Sequence, residues 1–233
     1  MAGILYGVGL GPGNPELITL KGWRVISLSP VIAWPEGESG QARARSIAAP
    51  FIPEDVIELP LLIPFGGREE ELRQAYEKAA RAIADHLRVG RDVAYLCLGD
   101  PLLYGTFARL AAHLPEDCEA RAIPGVNAAQ AAAASLLQRL AQGTEPFKML
   151  PATMQDDALL AECLNRQAVL AILKAGHHLP RIAGLLRQAG RLDNAVVVQE
   201  LGHGRERTLP LAQAAREGDA SYFSLVLVWP RGA

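Results

Sequence analysis

Three features of the sequence predict an α/β protein with largely parallel strand pairing. Short apolar segments alternate with amphipathic segments along the whole chain, which is the pattern of strands connected by helices. Half of the 233 residues are hydrophobic, which is enough to bury a sizeable core. The predicted strands would crowd a single doubly wound sheet, so we expect two α/β lobes, residues 1–124 and 125–233.

The first lobe is predicted to alternate between strands and helices. Its strands are short apolar or β-branched segments, namely Ile4–Val8, Val31–Trp34, Val56–Leu59, Asp92–Leu98 and a strand that ends with Arg121–Ile123. Its helices are Pro15–Leu28, Arg68–Val89 and a helix that runs from the turn Gly99-Asp100-Pro101 to about His113.

Apolar spacing predicts which sides of two of these helices face the core. In Arg68–Val89 the residues at helical spacing are Leu72, Tyr76, Ala79, Ile83 and Leu87. In Pro15–Leu28 the residues expected to face inward are Leu17, Leu20, Val25 and Leu28. Both segments are therefore predicted to pack one apolar face against a sheet.

The second lobe is predicted to begin with the alanine-rich helix Ala128–Leu140. The segment 142–151, which contains Gly143, Pro146 and Pro151, breaks the pattern. Beyond it the alternation resumes, with strands Val169–Leu173, Ala195–Glu200 and Tyr222–Val228 and the helix Leu179–Gln188.

Charge and composition argue against several classes of protein. The formal net charge is -2 and basic residues are interleaved with acidic ones, so the chain lacks the basic stripe of a nucleic-acid-binding protein. Its apolar segments are shorter than the roughly 20 residues of a membrane helix, and its N-terminus does not resemble a signal peptide. Cys97, Cys118 and Cys163 form no CxxC pair, so we expect no disulfide framework, no metal site and a cytoplasmic location.

A glycine-rich segment, Gly7–Pro15, lies between the first strand and the first helix. Alternate glycines allow backbone to approach a ligand closely. The GxGxxG fingerprint of dinucleotide-binding proteins does not fit, because its last glycine falls on Pro12 or Asn14. A phosphate-binding P-loop does not fit either, because no Lys followed by Ser or Thr is present. The segment indicates either a ligand-binding loop of another kind or a tight turn.

Two further segments follow predicted strands, where ligands bind in open α/β sheets. In Gly99-Asp100-Pro101, the Asp100 carboxylate can accept hydrogen bonds from ribose hydroxyls or cap the next helix, although Gly-Asp-Pro is also an ordinary turn. In Ile123–Ala129, Asn127 can cap the next helix or present its amide to a ligand. Each segment alone leaves the structural and the functional interpretation open.

Together, the three segments resemble the tetrapyrrole methylase family in order and spacing. That family has a glycine-rich first loop, a Gly-Asp-Pro loop about ninety residues later and Pro-Gly-Val at the start of a helix, and the resemblance runs over nearly the whole chain. Five segments are similar to the branch that methylates C-20 of precorrin-2 or cobalt-precorrin-2 in cobalamin biosynthesis. They are Leu5–Gly9, Gly99–Phe107, Leu150–Thr153, Ile172–Lys174 and Tyr222–Leu225.

The resemblance implies a two-lobed methyltransferase, a homodimer, that holds S-adenosylmethionine in the cleft between its lobes and acts on a small-molecule tetrapyrrole. By matching motif, it implies cofactor contacts at Pro12, Leu98, Gly99, Asp100, Leu103, Tyr104, Gly105, Asn127, Ala128, Lys174 and Gly202. The pattern identifies no catalytic base. Asp100 is the candidate for a catalytic carboxylate, with cofactor binding as its expected role.

At two positions the sequence departs from the family pattern. Asn14 stands where the family usually has Asp, and Asn127 stands where it usually has Ser or Thr. These departures leave open a non-catalytic protein that binds S-adenosylmethionine or a tetrapyrrole. An enzyme that methylates another ring carbon of a corrin precursor is the second alternative.

Overall fold

The computed structural model divides the chain into two compact units, Met1–Asn127 and Ala128–Ala233. Each unit contains one five-stranded sheet. The predicted division into lobes at residues 124 and 125 stays a prediction. The structure describes residues 2–37, 42–64, 67–165, 168–218 and 220–230.

The first unit has a wholly parallel sheet, which agrees with the predicted largely parallel pairing. Its strands are β1 (Ile4–Gly9), β2 (Val31–Glu36), β3 (Ile57–Leu62), β4 (Val93–Cys97) and β5 (Glu119–Ile123), in the order β3-β2-β4-β1-β5. Its α-helices over the described residues are α1 (Leu20–Leu28), α2 (Arg43–Ala48), α3 (Glu69–Arg88) and α4 (Phe107–Ala111). Each strand predicted for this part of the chain is confirmed; α2 was not predicted.

The central strand β4 is buried on both faces of the sheet. Val93, Tyr95 and Cys97 pack into the core beside α3, whereas Ala94 and Leu96 pack into the core beneath α1 and α2. A parallel strand covered by helices on both sides therefore has a continuous apolar sequence. The predicted apolar face of α3 is confirmed: Tyr76, Ala79, Ile83 and Leu87 are buried and Leu72 packs against them.

The predicted helix over residues 15–28 is wrong in its first part and only partly right about the side that faces the core. A short 3₁₀ turn ends at Leu17, and α1 begins only after an extended break at Ile18 and Thr19. The break changes the helical phase, so spacing counted from Leu17 does not apply to α1. Leu20 and Leu28 are 79% and 75% exposed. The side that α1 buries carries Gly22 and Ile26, and the predicted Val25 packs against the same core cluster.

The second unit has a mixed sheet, so the expectation of largely parallel pairing is wrong there. Only β6 and β7 pair in parallel among the strands described; β10 is antiparallel to β7 and β8, and β9 is antiparallel to β8. The loop between β8 and β9 is too short for the crossover that a parallel pair needs. The strands are β6 (Phe147–Pro151), β7 (Val169–Leu173), β8 (Ala195–Gln199), β9 (Arg207–Pro210) and β10 (Ser224–Val228), in the order β6-β7-β10-β8-β9.

The helices of the second unit agree with the sequence prediction in part. They are α5 (Ala128–Ser135), α6 (Asp157–Asn165), α7 (Leu179–Gln188) and α8 (Leu211–Glu217) over the described residues. The prediction for α7 is confirmed, whereas α5 ends before the predicted Leu140, with Leu137 in the left-handed region at φ 50°. The helices α6 and α8 and the strands β6 and β9 were not predicted. Across the residues described, none of the helices is long and apolar enough to cross a membrane.

Candidate functional site

Three loops of the first unit lie at one edge of its sheet. They follow β1, β4 and β5, which are neighbours in the parallel order β4-β1-β5. Because parallel strands end at the same edge, the three segments singled out by the sequence are brought together there. We call them loop A (residues 10–14), loop B (98–106) and loop C (124–127).

Glycine backbone joins the three loops. The Gly99 N–H donates to the Gly11 carbonyl at 2.8 Å, and the Gly11 N–H donates to the Gly99 carbonyl at 3.3 Å. A Cβ on Gly125 would lie 2.3 Å from the Gly99 carbonyl oxygen and 2.7 Å from the Gly9 Cα. Loops A, B and C therefore touch through backbone, and glycine is required where they meet.

The Asp100 carboxylate connects loops B and C. One oxygen, Oδ1, accepts a hydrogen bond from the Leu102 N–H at 2.9 Å, and the other, Oδ2, accepts one from the Gly125 N–H at 3.1 Å. An ionised carboxylate has about four acceptor positions, so further donors can still reach it. Asp100 therefore holds loops B and C together through its side chain, a role that the sequence alone did not reveal.

The other predicted residues of the first unit differ in exposure. Pro12, Leu98 and Leu103 are half-buried, whereas Tyr104 and Gly105 are exposed on loop B. Tyr104 has a positive φ of 51°, a conformation that costs free energy for a residue with a side chain and is found disproportionately at functional sites.

The two Asn departures lie in the same part of the fold. The Asn14 side chain accepts a hydrogen bond from the Glu16 N–H at 2.9 Å and caps the 3₁₀ turn after loop A. An Asp would cap this turn equally well, so Asn14 preserves the local structure. Asn127 ends loop C, and its Cα is 4.0 Å from the position that a Cβ on Gly99 would occupy.

Residues behind loop B were not predicted as part of the site. The Tyr95 and Thr106 hydroxyls are hydrogen-bonded at 2.7 Å, which ties the end of loop B to the buried strand β4. Burial raises the pKa of Tyr95 well above its ordinary value and also raises the pKa of the Cys97 thiol. Cys97 is therefore held as an unreactive thiol at neutral pH. A Tyr within an apolar strand was the only sequence signal for this support.

The predicted residues Lys174 and Gly202 belong to the second unit, at the end of its sheet where β7 and β8 finish and β10 begins. Lys174 follows β7 and Gly202 lies in the turn after β8, and both have positive φ, 57° and 72°. Burial lowers the pKa of the half-buried Lys174 ammonium. Ala128, the remaining predicted residue, is the first residue of α5.

A family model for the tetrapyrrole (corrin/porphyrin) methylases matches residues 4–215, which is most of the chain. The chain belongs to this family. The resemblance inferred from the three loops is therefore confirmed, and the chain is a tetrapyrrole methylase.

Two relatives of this tetrapyrrole methylase come from bacteria. The precorrin-2 C(20)-methyltransferase of a Sinorhizobium species is 36% identical over 97% of this chain and 95% of its own length. The cobalt-precorrin-2 C(20)-methyltransferase of Salmonella typhimurium is 29% identical over 98% of this chain and 97% of its own length. The chain is thus similar to both over almost its full length.

A solved relative supports the fold of the tetrapyrrole methylase. The uroporphyrin-III C-methyltransferase of Thermus thermophilus, solved in complex with S-adenosyl homocysteine, has a TM-score of 0.72 to this chain. It is 21% identical, and the match covers 97% of this chain and 92% of that one. The predicted α/β class with two lobes is confirmed. The predicted methyl donor, S-adenosylmethionine, is the methyl donor of the tetrapyrrole methylase family.

Proposed function

We propose that this tetrapyrrole methylase transfers the methyl group of S-adenosylmethionine to C-20 of precorrin-2 or cobalt-precorrin-2 in cobalamin biosynthesis. The observation that carries the proposal is the 36% identity to a precorrin-2 C(20)-methyltransferase over 97% of the chain. The sequence segments similar to this branch of the family point the same way.

In this proposal, loops A, B and C of the first unit bind the cofactor. Their backbone is held in register by the glycine contacts and by the two hydrogen bonds that Asp100 accepts. A preorganised edge of this kind binds without first ordering its loops, which would cost conformational free energy. The side chains of Pro12, Leu98, Leu103 and Tyr104 are available there for contact with the cofactor, together with those of Asp100 and Asn127.

The chemistry asks mainly for alignment. A nucleophilic ring carbon forms a bond to the methyl carbon while the bond between the methyl carbon and the sulfonium sulfur breaks. The sulfur keeps the electron pair, S-adenosylhomocysteine is released, and the ring carbon loses its hydrogen as a proton to water. Since the sulfonium already activates the methyl group, positioning of the two reactants supplies a large part of the rate enhancement. We therefore assign Asp100 to cofactor binding and not to proton transfer.

An experiment with labelled cofactor tests both the activity and the position of the methyl group. The purified protein is incubated with precorrin-2 or cobalt-precorrin-2 and S-adenosylmethionine labelled in its methyl group. We expect the mass of one added methyl, and the NMR signal of a methyl on C-20. No added methyl with either substrate would contradict the proposal, and comparing the two rates identifies the preferred form.

A methyl signal from another ring carbon would support the second candidate, an enzyme of the same family with a different position. This alternative is kept because the fold alone does not fix the substrate: the Thermus thermophilus enzyme of the same fold is named for uroporphyrin-III. A non-catalytic protein would bind S-adenosylhomocysteine and give no methylated product.

We further propose that the enzyme is a cytosolic homodimer. Its three cysteines, Cys97, Cys118 and Cys163, all lie in the described residues and are free thiols, which fits a reducing compartment. Exposed apolar side chains on α1 suit a subunit interface. Sedimentation should give one species of twice the 25.0 kDa chain mass, and a monomer would contradict the dimer.

A further inference from the structure

A cluster of hydrogen bonds surrounds Ser221, just before β10. The Ser221 hydroxyl donates to the Glu200 carboxylate and accepts from the Phe223 N–H at 3.1 Å. The Ser221 carbonyl accepts from the Ser224 hydroxyl at 2.6 Å. Ser221 thus links the segment before β10 with Glu200, the residue that follows β8.

Backbone contacts extend this cluster to the residues that follow β7. The Ala175 N–H donates to the Ser224 carbonyl at 2.9 Å, and the Glu200 N–H donates to the Phe223 carbonyl at 3.1 Å. A Cβ on Gly176 would lie 2.2 Å from the Ser221 carbonyl oxygen, so the segment after β7 packs directly against Ser221. The ends of β7 and β8 are therefore both attached to the start of the strand between them.

The same two strand ends carry unfavourable backbone conformations. Lys174 and Glu200 have φ values of 57° and 52°, in the left-handed region that residues with a Cβ seldom occupy. Neither residue type favours that region, and each such residue costs of order 1 kcal/mol or more. The surrounding contacts must hold them there, and the Ser221 cluster supplies contacts to both segments.

The turn that contains Gly202 is also attached to Glu200. The His203 N–H donates to the Glu200 carbonyl at 2.9 Å, and the Gly202 N–H donates to the Glu206 carboxylate at 2.7 Å. The Gly202 N–H is thus already used within the turn. Glu200 connects this turn, through its side chain, to Ser221.

We propose that Glu200 and Ser221 are positioning residues for the cofactor. Their side-chain hydrogen bond holds the backbone after β7 and β8 in the left-handed conformation that places Lys174 and Gly202 for binding. This inference rests on the proposed function, since Lys174 and Gly202 are the two cofactor positions expected in this part of the second unit.

The test compares Glu200→Ala, Ser221→Ala and Glu200→Gln with the wild-type protein. We expect both alanine variants to raise the KM for S-adenosylmethionine and the Kd for S-adenosylhomocysteine about tenfold, with kcat within about twofold, because uniform binding is lost and not transition-state stabilisation. Glu200→Gln should restore most of the affinity, because an amide oxygen still accepts from the Ser221 hydroxyl. The double alanine variant should be little worse than either single variant, since both remove the same bond.

A serine elsewhere in the second unit gives a matched control. The Ser135 hydroxyl donates to the Ala132 carbonyl at 3.0 Å, at the end of α5 remote from Ala128. Ser135→Ala should leave the KM, Kd and kcat unchanged. Thermal melting of every variant separates lost affinity from lost folding.

Three outcomes would overturn the inference. The first is that the wild-type protein methylates its substrate and the alanine variants bind S-adenosylhomocysteine with the same affinity as the wild-type protein. That result would exclude the positioning role and leave the proposed function standing. The second is that the alanine variants lose activity only in proportion to their loss of folded protein and that Glu200→Gln does not restore it. That result would show that Glu200 and Ser221 have only a structural role. A wild-type protein that binds no S-adenosylhomocysteine would defeat the proposed function and this inference together.

Discussion

Single residues decide how closely the three loops of the first unit approach each other. Gly9, Gly99 and Gly125 meet backbone to backbone, at distances that leave no room for a Cβ on Gly9 or Gly125. This use of glycine differs from that in a dinucleotide fingerprint, where the glycines lie within one loop. Here the glycines come from three segments of the chain that are far apart in sequence, and the packing of β1, β4 and β5 as neighbours brings them together.

Gly125→Ala tests this contact. The added Cβ would lie 2.3 Å from the Gly99 carbonyl oxygen, so the backbone must move, and we expect a loss of stability of about 1–3 kcal/mol together with weaker binding of S-adenosylhomocysteine. Denaturant unfolding and calorimetry measure the two effects. Gly184→Ala is the control: it lies in α7, its Cβ would meet nothing within 4 Å, and it should unfold at the same or a higher denaturant concentration.

Asp100→Asn separates the role of the carboxylate from that of side-chain volume. An amide has one acceptor oxygen, so either the Leu102 or the Gly125 N–H would face an NH₂ group and lose its partner. We expect about 1 kcal/mol lower stability and weaker binding of S-adenosylhomocysteine by calorimetry. Asp100→Ala removes both hydrogen bonds, so this variant should be less stable still and should bind S-adenosylhomocysteine more weakly still. Unchanged affinity in a folded Asp100→Asn protein would contradict the assignment of Asp100 to the site.

At the scale of elements, one buried charge ties several parts of the second unit together. Arg191 is 2% exposed, and its guanidinium donates to the carbonyls of Leu164, Ala168 and Trp229 at 2.7, 2.7 and 3.1 Å. Leu164 lies in the last turn of α6, Ala168 precedes β7 and Trp229 follows β10. A planar group with several donors is required to reach three carbonyls in different directions.

Replacement of Arg191 should therefore destabilise the second unit. We expect Arg191→Ala to lower the free energy of unfolding by several kcal/mol, because two buried carbonyls and one part-buried carbonyl lose a charged donor. Arg191→Lys should recover only part, since an ammonium lacks the forked geometry. Arg187→Ala, at an exposed position near the end of α7, is the control. Equal melting temperatures for Arg191→Ala and the control would show that the buried hydrogen bonds contribute nothing.

At the scale of the whole molecule, the proposed cofactor should stabilise the folded chain. A ligand that binds only the folded state at a concentration 100 times its Kd adds about 2.7 kcal/mol to the free energy of unfolding. We expect S-adenosylhomocysteine to raise the melting temperature with increasing concentration, and NAD to leave it unchanged, since the glycine spacing of Gly7–Pro15 does not fit a dinucleotide. Stabilisation by NAD alone would contradict the family-based site.

Local sequence signals predicted much of the fold. Strands β4 and β7 are apolar throughout because both faces of their sheet are covered, and α3 shows its buried side at a spacing of three and four residues. Such patterns depend on each segment's own contact with the core, so they appear in a short window of sequence. The elements that were missed, including β9 and α8, are short, and α8 presents only Leu211, Ala214 and the partly buried Ala215 to the core.

By itself, the sequence determined the α/β class, the parallel sheet of the first unit and the order of the three loops that identify the family. Tertiary structure decided the antiparallel position of β10 between β7 and β8, the exposed side of α1, and the bonds from Asp100 to Gly125 and from Ser221 to Glu200. Apolar periodicity records only whether a segment meets the core. Which distant segments become neighbours, and which polar groups then pair, depends on the packing of the whole unit.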